Sequence, residues 1–173
     1  TDSNFEKSKI LNINNENIYH YLKKYDVLLL AGFQGISTEG KITSLGRGGS
    51  DTTAVAIAAS VGAERCDIYT DVEGVYTTDP NKLNNAKKIK VISYEEMLEM
   101  ASLGAKVMQP VSIQEARLNG INIEVKSSYV NKSGTLITKK SNIKNNKIIT
   151  GISLTHNDAK VSLVGVKDKP GVA

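Results

Sequence analysis

The sequence predicts an α/β protein, and three stretches carry that expectation. Residues 27–31 (Val-Leu-Leu-Leu-Ala) are a continuous aliphatic run followed by Gly32, the pattern of a central strand covered on both faces. A glycine-rich loop then runs into Ala54-Val55-Ala56-Ile57-Ala58-Ala59, which reads as a helix over 52–61 closed by Gly62. Cys66-Asp67-Ile68-Tyr69-Thr70 follows as the next strand. Strand, loop, helix and strand in that order suggest a parallel α/β sheet.

The remaining elements fit around that unit. Residues 9–13 alternate like a short strand, and residues 15–23 have the composition of a helix. Beyond Thr70, residues 71–76 are a turn leaving the strand, and Thr78-Asp79-Pro80-Asn81 is a second turn. Ser93-Tyr94-Glu95-Glu96 is a capping box that opens a helix carrying Met97, Leu98 and Ala101 and ending near Gly104. Pro110 belongs in the first turn of a further helix that runs to Asn119. Residues 121–125 and 134–138 read as strands. From 139 to 147 the composition becomes Lys, Asn and Ser with little that is apolar, which marks a domain boundary. After it, 148–154 and 160–166 read as strands and 167–171 as a turn.

Composition narrows the function classes. The 173 residues can bury one good core, or one core and part of another. The aliphatic run is far too short to span a bilayer, so no membrane span is expected. The start lacks the basic and apolar regions of a signal peptide, and the single cysteine, Cys66, permits no intrachain disulfide. Together these point to a cytoplasmic protein. The net charge of +4 comes from scattered lysines without a basic stripe or interleaved aromatics, so nucleic acid is not an expected partner. His20 and His156 are isolated and far apart in sequence, and no metal site is expected. The chain opens without methionine and in mid-pattern, as part of something longer would.

The chemistry concentrates in Thr43-Ser44-Leu45-Gly46-Arg47-Gly48-Gly49-Ser50-Asp51-Thr52-Thr53. Ser50 or Asp51 would cap the following helix, turning free N–H groups and the positive end of its dipole toward the loop, ready for an anion. Arg47 and Asp51 flank one small space. That pairing suits a zwitterion, with the guanidinium forking onto a carboxylate and the carboxylate accepting an ammonium. The loop is not a Walker motif, since no Lys-Ser or Lys-Thr follows the last glycine, nor is it Gly-x-Gly-x-x-Gly. The competing reading is an ordinary glycine turn into a buried helix. In an open α/β sheet ligands sit outside the carboxyl ends of strands, which puts Thr70 and Asp71 beside this loop.

Six motifs occur in order: Ala-Gly-Phe-Gln-Gly at 31–35, Leu-Gly-Arg-Gly-Gly-Ser-Asp-Thr at 45–52, Tyr-Thr-Asp-Val-Glu-Gly-Val-Tyr-Thr-Thr-Asp-Pro at 69–80, Ser-Tyr-Glu-Glu-Met at 93–97, Gly-Ala-Lys-Val at 104–107 and Gly-Thr-Leu-Ile at 134–137. Through them the chain resembles the aspartokinases, within the amino-acid-kinase fold. The resemblance implies the C-terminal part of a three-layer αβα catalytic domain over 1–140, a linker over 141–147, and over 148–173 the first strands of an α+β ACT regulatory domain. The family's N-terminal Lys-Phe-Gly-Gly segment is absent, so the chain resembles a fragment expected to be inactive alone.

The resemblance further implies transfer of the ATP γ-phosphoryl group, from a Mg2+-ATP complex, to the side-chain carboxylate of L-aspartate. The product, 4-phospho-L-aspartate, opens lysine, threonine and methionine biosynthesis. By similarity Phe33, Arg47, Ser50 and Asp51 would hold aspartate, while Thr70, Asp71, Tyr76 and Asn81 would line the nucleotide site. Lys106 would reach the phosphates and, with Asp51, serve catalysis. Asn81 stands where relatives often carry arginine, and Gln109 where histidine often precedes the proline. Relatives are commonly homodimers, and an effector such as lysine or threonine would act through a complete ACT domain.

Two other functions share these residues: an amino-acid-sensing regulatory module, or a related kinase of this fold with another acceptor. Arg47 beside Asp51 favours an amino-acid acceptor, because UMP has no α-amino group. Elsewhere the expected roles are structural. Cys66 reads as a small buried hydrophobe, Tyr94 as an aromatic with a polar tip, and Glu95, Glu96 and Glu99 as a solvated helix face.

Overall fold

The computed structural model describes residues 1–105, 107–143 and 148–154. Lys106, and the strand and turn expected over 160–166 and 167–171, lie outside the described residues.

Helix α1 (Asn15–Leu22) begins where the Asn14 side chain accepts the Asn17 N–H at 3.4 Å. Strands β1 (Gln34–Ile36) and β2 (Ile42–Ser44) form a small antiparallel hairpin with Gly35 opposite Thr43. Helix α2 (Gly49–Ser60) ends as the sequence implies: Gly62 is left-handed at φ +65°, its N–H donates to Ala59, and Ala63 N–H donates to Ala58 at 2.9 Å. The chain then enters β3 (Arg65–Thr70). After a long turn region come β4 (Val91–Ser93), α3 (Tyr94–Ser102), α4 (Pro110–Asn119), β5 (Asn122–Ser127) and β6 (Thr135–Thr138). Pro110 opens α4, where its missing N–H costs nothing, and Gly120 closes it in the left-handed conformation.

The four-stranded sheet has the order β3-β5-β6-β4. It is mixed rather than wholly parallel: β3 runs parallel to β5 and β4 to β6, but β5 and β6 are antiparallel. The cause is the connection 128–134, which is too short for the crossover of a dozen or more residues that a parallel neighbour requires. Val55, Ala58, Met97, Ile113 and Ala116 from the helices meet Cys66, Ile68, Ile123, Val125 and Ile137 from the sheet in one buried core. Tyr94 belongs to it, with its hydroxyl donating to Ile121 O at 2.7 Å. The opposite side of β3 and β5 carries Arg65, Asp67, Glu124 and Lys126, linked by ion pairs.

Several expectations are corrected. The aliphatic run 27–31 is no central strand: Val27 is 82% and Leu29 100% exposed, and among the described residues no strand pairs with it. Aliphatic composition reports a taste for burial, but a strand also needs a neighbour to complete its hydrogen bonds. Residues 9–13 form no strand either; the neighbouring Phe5 and Ser8 instead bond to Ser44 of β2. Residues 148–154 are irregular and lie against the α/β unit, with Ile152 N–H donating to Thr77 O at 2.8 Å and Ser153 Oγ to Met100 O at 3.2 Å. Glu96 is not merely solvated. It completes the α3 capping box with Ser93 and accepts the Thr150 hydroxyl.

Candidate active site

The cap of α2 is Gly48, at φ +76°, and neither Ser50 nor Asp51. Glycine tolerates this left-handed φ, and with the cap at Gly48, Ser50 and Asp51 fall in the first turn of the helix. Asp51 still stands at the positive end of the helix dipole. It is half-buried, and burial pushes its carboxyl up from the ordinary range. Arg47 and Ser50 are exposed. Among the described residues, no side-chain hydrogen bond or ion pair engages Arg47, Ser50 or Asp51. A guanidinium, a hydroxyl and a carboxylate are therefore gathered at one helix start with their polar atoms uncommitted.

Phe33 joins this group through the backbone. It has φ +71°, the one positive value at a non-glycine residue among those described. Its N–H donates to Thr53 Oγ1 at 3.1 Å, and its carbonyl accepts the Leu45 N–H at 3.0 Å. The ring lies against Gly49, where an added Cβ would stand 2.9 Å from Phe33 Cδ2.

A second group lies where β3 ends. Thr70 Oγ1 donates to Asp71 Oδ1 at 3.1 Å, and the turn after it is held by neighbours. Val75 N–H donates to the buried Thr135 Oγ1 at 2.8 Å, and that hydroxyl donates to Ile89 O at 2.6 Å. Tyr76 pairs with Lys88 in an antiparallel bridge. Asn81 is exposed in the following turn, its N–H donating to Asp79 Oδ1 at 2.9 Å.

Topology brings the two groups to one edge of the sheet. A twelve-residue helix spans about 18 Å and a six-residue strand about 20 Å. The chain returning from α2 into β3 thus ends level with the α2 N-terminus. The same return joins α4 to β5, and β5 is parallel to β3, so the α4 N-terminus lies at that edge too. A direct contact agrees with this: a Cβ added at Gly48 would stand 2.2 Å from Gln109 Cγ, Gln109 being the cap of α4. Thr135 is opposite Val125, which brings the 71–76 turn over the same edge.

Of the sequence-derived residues, the structure gathers Phe33, Arg47, Ser50 and Asp51 at the α2 start, and Thr70 at the end of β3 with Asp71 and Tyr76 in the turn after it; Asn81 lies further along the turn region. Sequence reasoning missed Thr53 and Thr135, the buried hydroxyls that hold Phe33 and Val75. The available signal was a threonine on the apolar face of each element. The packing of Gln109 on Gly48 gives no sign in the sequence at all.

A family profile described as "Amino acid kinase family" matches residues 1–127. The chain is 47% identical over its full 173 residues to an aspartokinase of Thermus thermophilus, of which it covers 42%; it thus spans about two fifths of the curated relatives it matches. Among solved structures it is similar to Clostridium acetobutylicum aspartate kinase (TM-score 0.70, 34% identity, 79% of this chain and 32% of that one). It is also similar to E. coli aspartokinase III in complex with aspartate and ADP (TM-score 0.59, 45% identity, 63% and 25%). The same E. coli enzyme with lysine and aspartate in a T-state matches with TM-score 0.57, 45% identity and the same coverage. By the profile match and by the mixed α/β architecture that these structures share with it, the chain belongs to the amino acid kinase family.

Proposed function

We propose that the chain is part of an aspartate kinase, an enzyme that moves the ATP γ-phosphoryl group onto the side-chain carboxylate of L-aspartate. The observation that carries this reading is the uncommitted Arg47, Ser50 and Asp51 at the α2 start, on the same sheet edge as the turn after Thr70. The aspartate and ADP of the E. coli complex and the name of the Thermus relative support it. Residues 1–140 are then the C-terminal part of the catalytic domain, 141–147 a linker, and 148–173 the beginning of an ACT domain. The protein is cytoplasmic and a homodimer, and lysine or threonine is its effector; lysine is bound, with aspartate, in the E. coli T-state.

Arg47 forks onto the α-carboxylate of aspartate and Asp51 accepts its α-ammonium, with Ser50 and the α2 N–H groups adding donors. The ammonium favours the ionised form of Asp51, opposing the burial that pushes its carboxyl up. The side-chain carboxylate is left facing ATP, which is held by Thr70, Asp71, Tyr76 and Asn81. A carboxylate oxygen attacks the γ-phosphorus, the bridging P–O bond to the β-phosphate breaks, and ADP leaves with that electron pair. The acceptor is already ionised near neutral pH, so no general base is needed, and the protein's task is positioning and charge compensation. Lys106 supplies positive charge to the phosphates. Mg2+ would enter as the Mg-ATP complex and would add positive charge at the phosphates.

The test is hydroxylamine trapping with the full-length gene product and Mg-ATP. An acyl phosphate yields a hydroxamate, and its formation should require L-aspartate. Hydroxamate formed equally with glutamate, or ADP release driven by UMP, would contradict the reading.

A further inference from the structure

The α2 start contains a strained residue and a device that holds it. A non-glycine residue in the left-handed region is strained, and such strain persists only where the surroundings over-determine it. Phe33 is so held at φ +71°. Its carbonyl is fixed by Leu45 N–H, and its N–H by the hydroxyl of Thr53, twenty positions along the chain. Thr53 is itself buried, and its Oγ1 donates to Gly49 O at 2.7 Å, back across one helical turn. One hydroxyl thus accepts from Phe33 and donates to the first residue of α2. It ties the strained backbone to the helix start that carries Ser50 and Asp51. The Phe33 ring is 45% exposed and laid against Gly49.

We propose that Thr53 is a positioning residue for the acceptor: its hydroxyl sets the Phe33 backbone, and through it the ring that walls the amino-acid site beside Arg47 and Asp51. This rests on the aspartate kinase reading. The Thr53 hydroxyl bonds to Phe33 and Gly49 and to no residue of the turn after Thr70. Its loss should therefore divide the two substrates.

The experiment measures steady-state kinetics of the full-length gene product and its Thr53→Val, Thr53→Ala and Thr53→Ser variants, with aspartate and ATP varied in turn. Valine keeps the shape and removes the hydroxyl; alanine removes it with a gain in helix propensity; serine keeps it. The hydroxyl-free variants should raise the aspartate KM about tenfold and leave the ATP KM within about twofold. Serine should restore the aspartate KM to within about threefold of the unsubstituted protein. An unchanged aspartate KM in both hydroxyl-free variants, equal rises in both KM values, or failure of serine to rescue would each overturn the proposal. So would the failure of both valine and alanine variants to fold, which would mark Thr53 as scaffold alone. Absence of aspartate-dependent turnover in the unsubstituted protein would instead overturn the kinase reading itself.

Discussion

The side chain of Gln109 lies directly on Gly48, so that a Cβ at Gly48 would meet Gln109 Cγ at 2.2 Å and Cβ at 2.6 Å. The cap of α4 and the cap of α2 are thus in contact, and the glycine loop is set from two directions. Gly48→Ala should destabilise the protein by about 2 kcal/mol or more, combining left-handed strain with this clash. Gly62, at φ +65° with nothing within 4 Å, supplies the control. Gly62→Ala should cost about 1 kcal/mol from strain alone. Urea denaturation of both variants measures the difference, and equal losses would show that the Gln109 contact is immaterial.

Thr135 should govern the nucleotide side. Thr135→Val strands the Val75 N–H and frees the Ile89 carbonyl, loosening the turn that carries Asp71 and Tyr76. The expected cost is about 1–3 kcal/mol of stability, with a rise in the ATP KM that exceeds any rise in the aspartate KM. Thermal unfolding and kinetics with each substrate varied would check both halves. A larger effect on aspartate would put the turn in the wrong site.

Cys66 is the buried small residue that the sequence implies, and burial, followed by the charges of Asp67 and Asp51, pushes its thiol up to about 11. The thiolate is the reactive form, so a thiol reagent at pH 8 should leave the folded protein untouched and react on unfolding in urea. Rapid modification of the native protein would contradict the burial of this residue.

Glu96 gives the fold an acid-sensitive contact. Burial pushes its carboxyl up, but the Thr150 hydroxyl, the Ser93 N–H and hydroxyl, and the charge of Lys140 outweigh it and hold the group below its ordinary range. The folded value then lies below the unfolded one. Ionised Glu96 stabilises the fold above the ordinary glutamate range, and that contribution is lost as pH falls through the lowered value. Glu96→Gln should cost about 1 kcal/mol at neutral pH and flatten the decline in stability below it. Denaturation midpoints between pH 7 and pH 3 would show this, and parallel profiles for both proteins would count against it.

Where a residue's local chemistry decides the outcome, the sequence was legible. Gly62 ends α2, Ser93 and Glu96 form a capping box, and Pro110 starts α4, each for a reason contained in a few neighbouring residues. The strand at 27–31 failed because its apolar composition carries no information about a partner. The three-residue strands β1, β2 and β4 are too short to show a period. The reversal between β5 and β6 was readable in principle, since the length of 128–134 forbids a parallel crossover. At the candidate site, Arg47 and Asp51 stand out in the sequence by charge and spacing, and the structure places both at the α2 start. Thr53, Thr135 and Gln109 do not stand out, because what they do depends on residues twenty to sixty-one positions away.

The central claim is that Arg47 and Asp51 grip the two ends of the aspartate zwitterion. Steady-state kinetics of Arg47→Ala and Asp51→Asn in the full-length gene product, with aspartate varied at saturating Mg-ATP, test it most directly. Each lost charge-assisted contact should lower kcat/KM for aspartate by about tenfold to a hundredfold while the ATP KM changes little. Near-normal aspartate kinetics in both variants would contradict the account and move the acceptor site away from the α2 start.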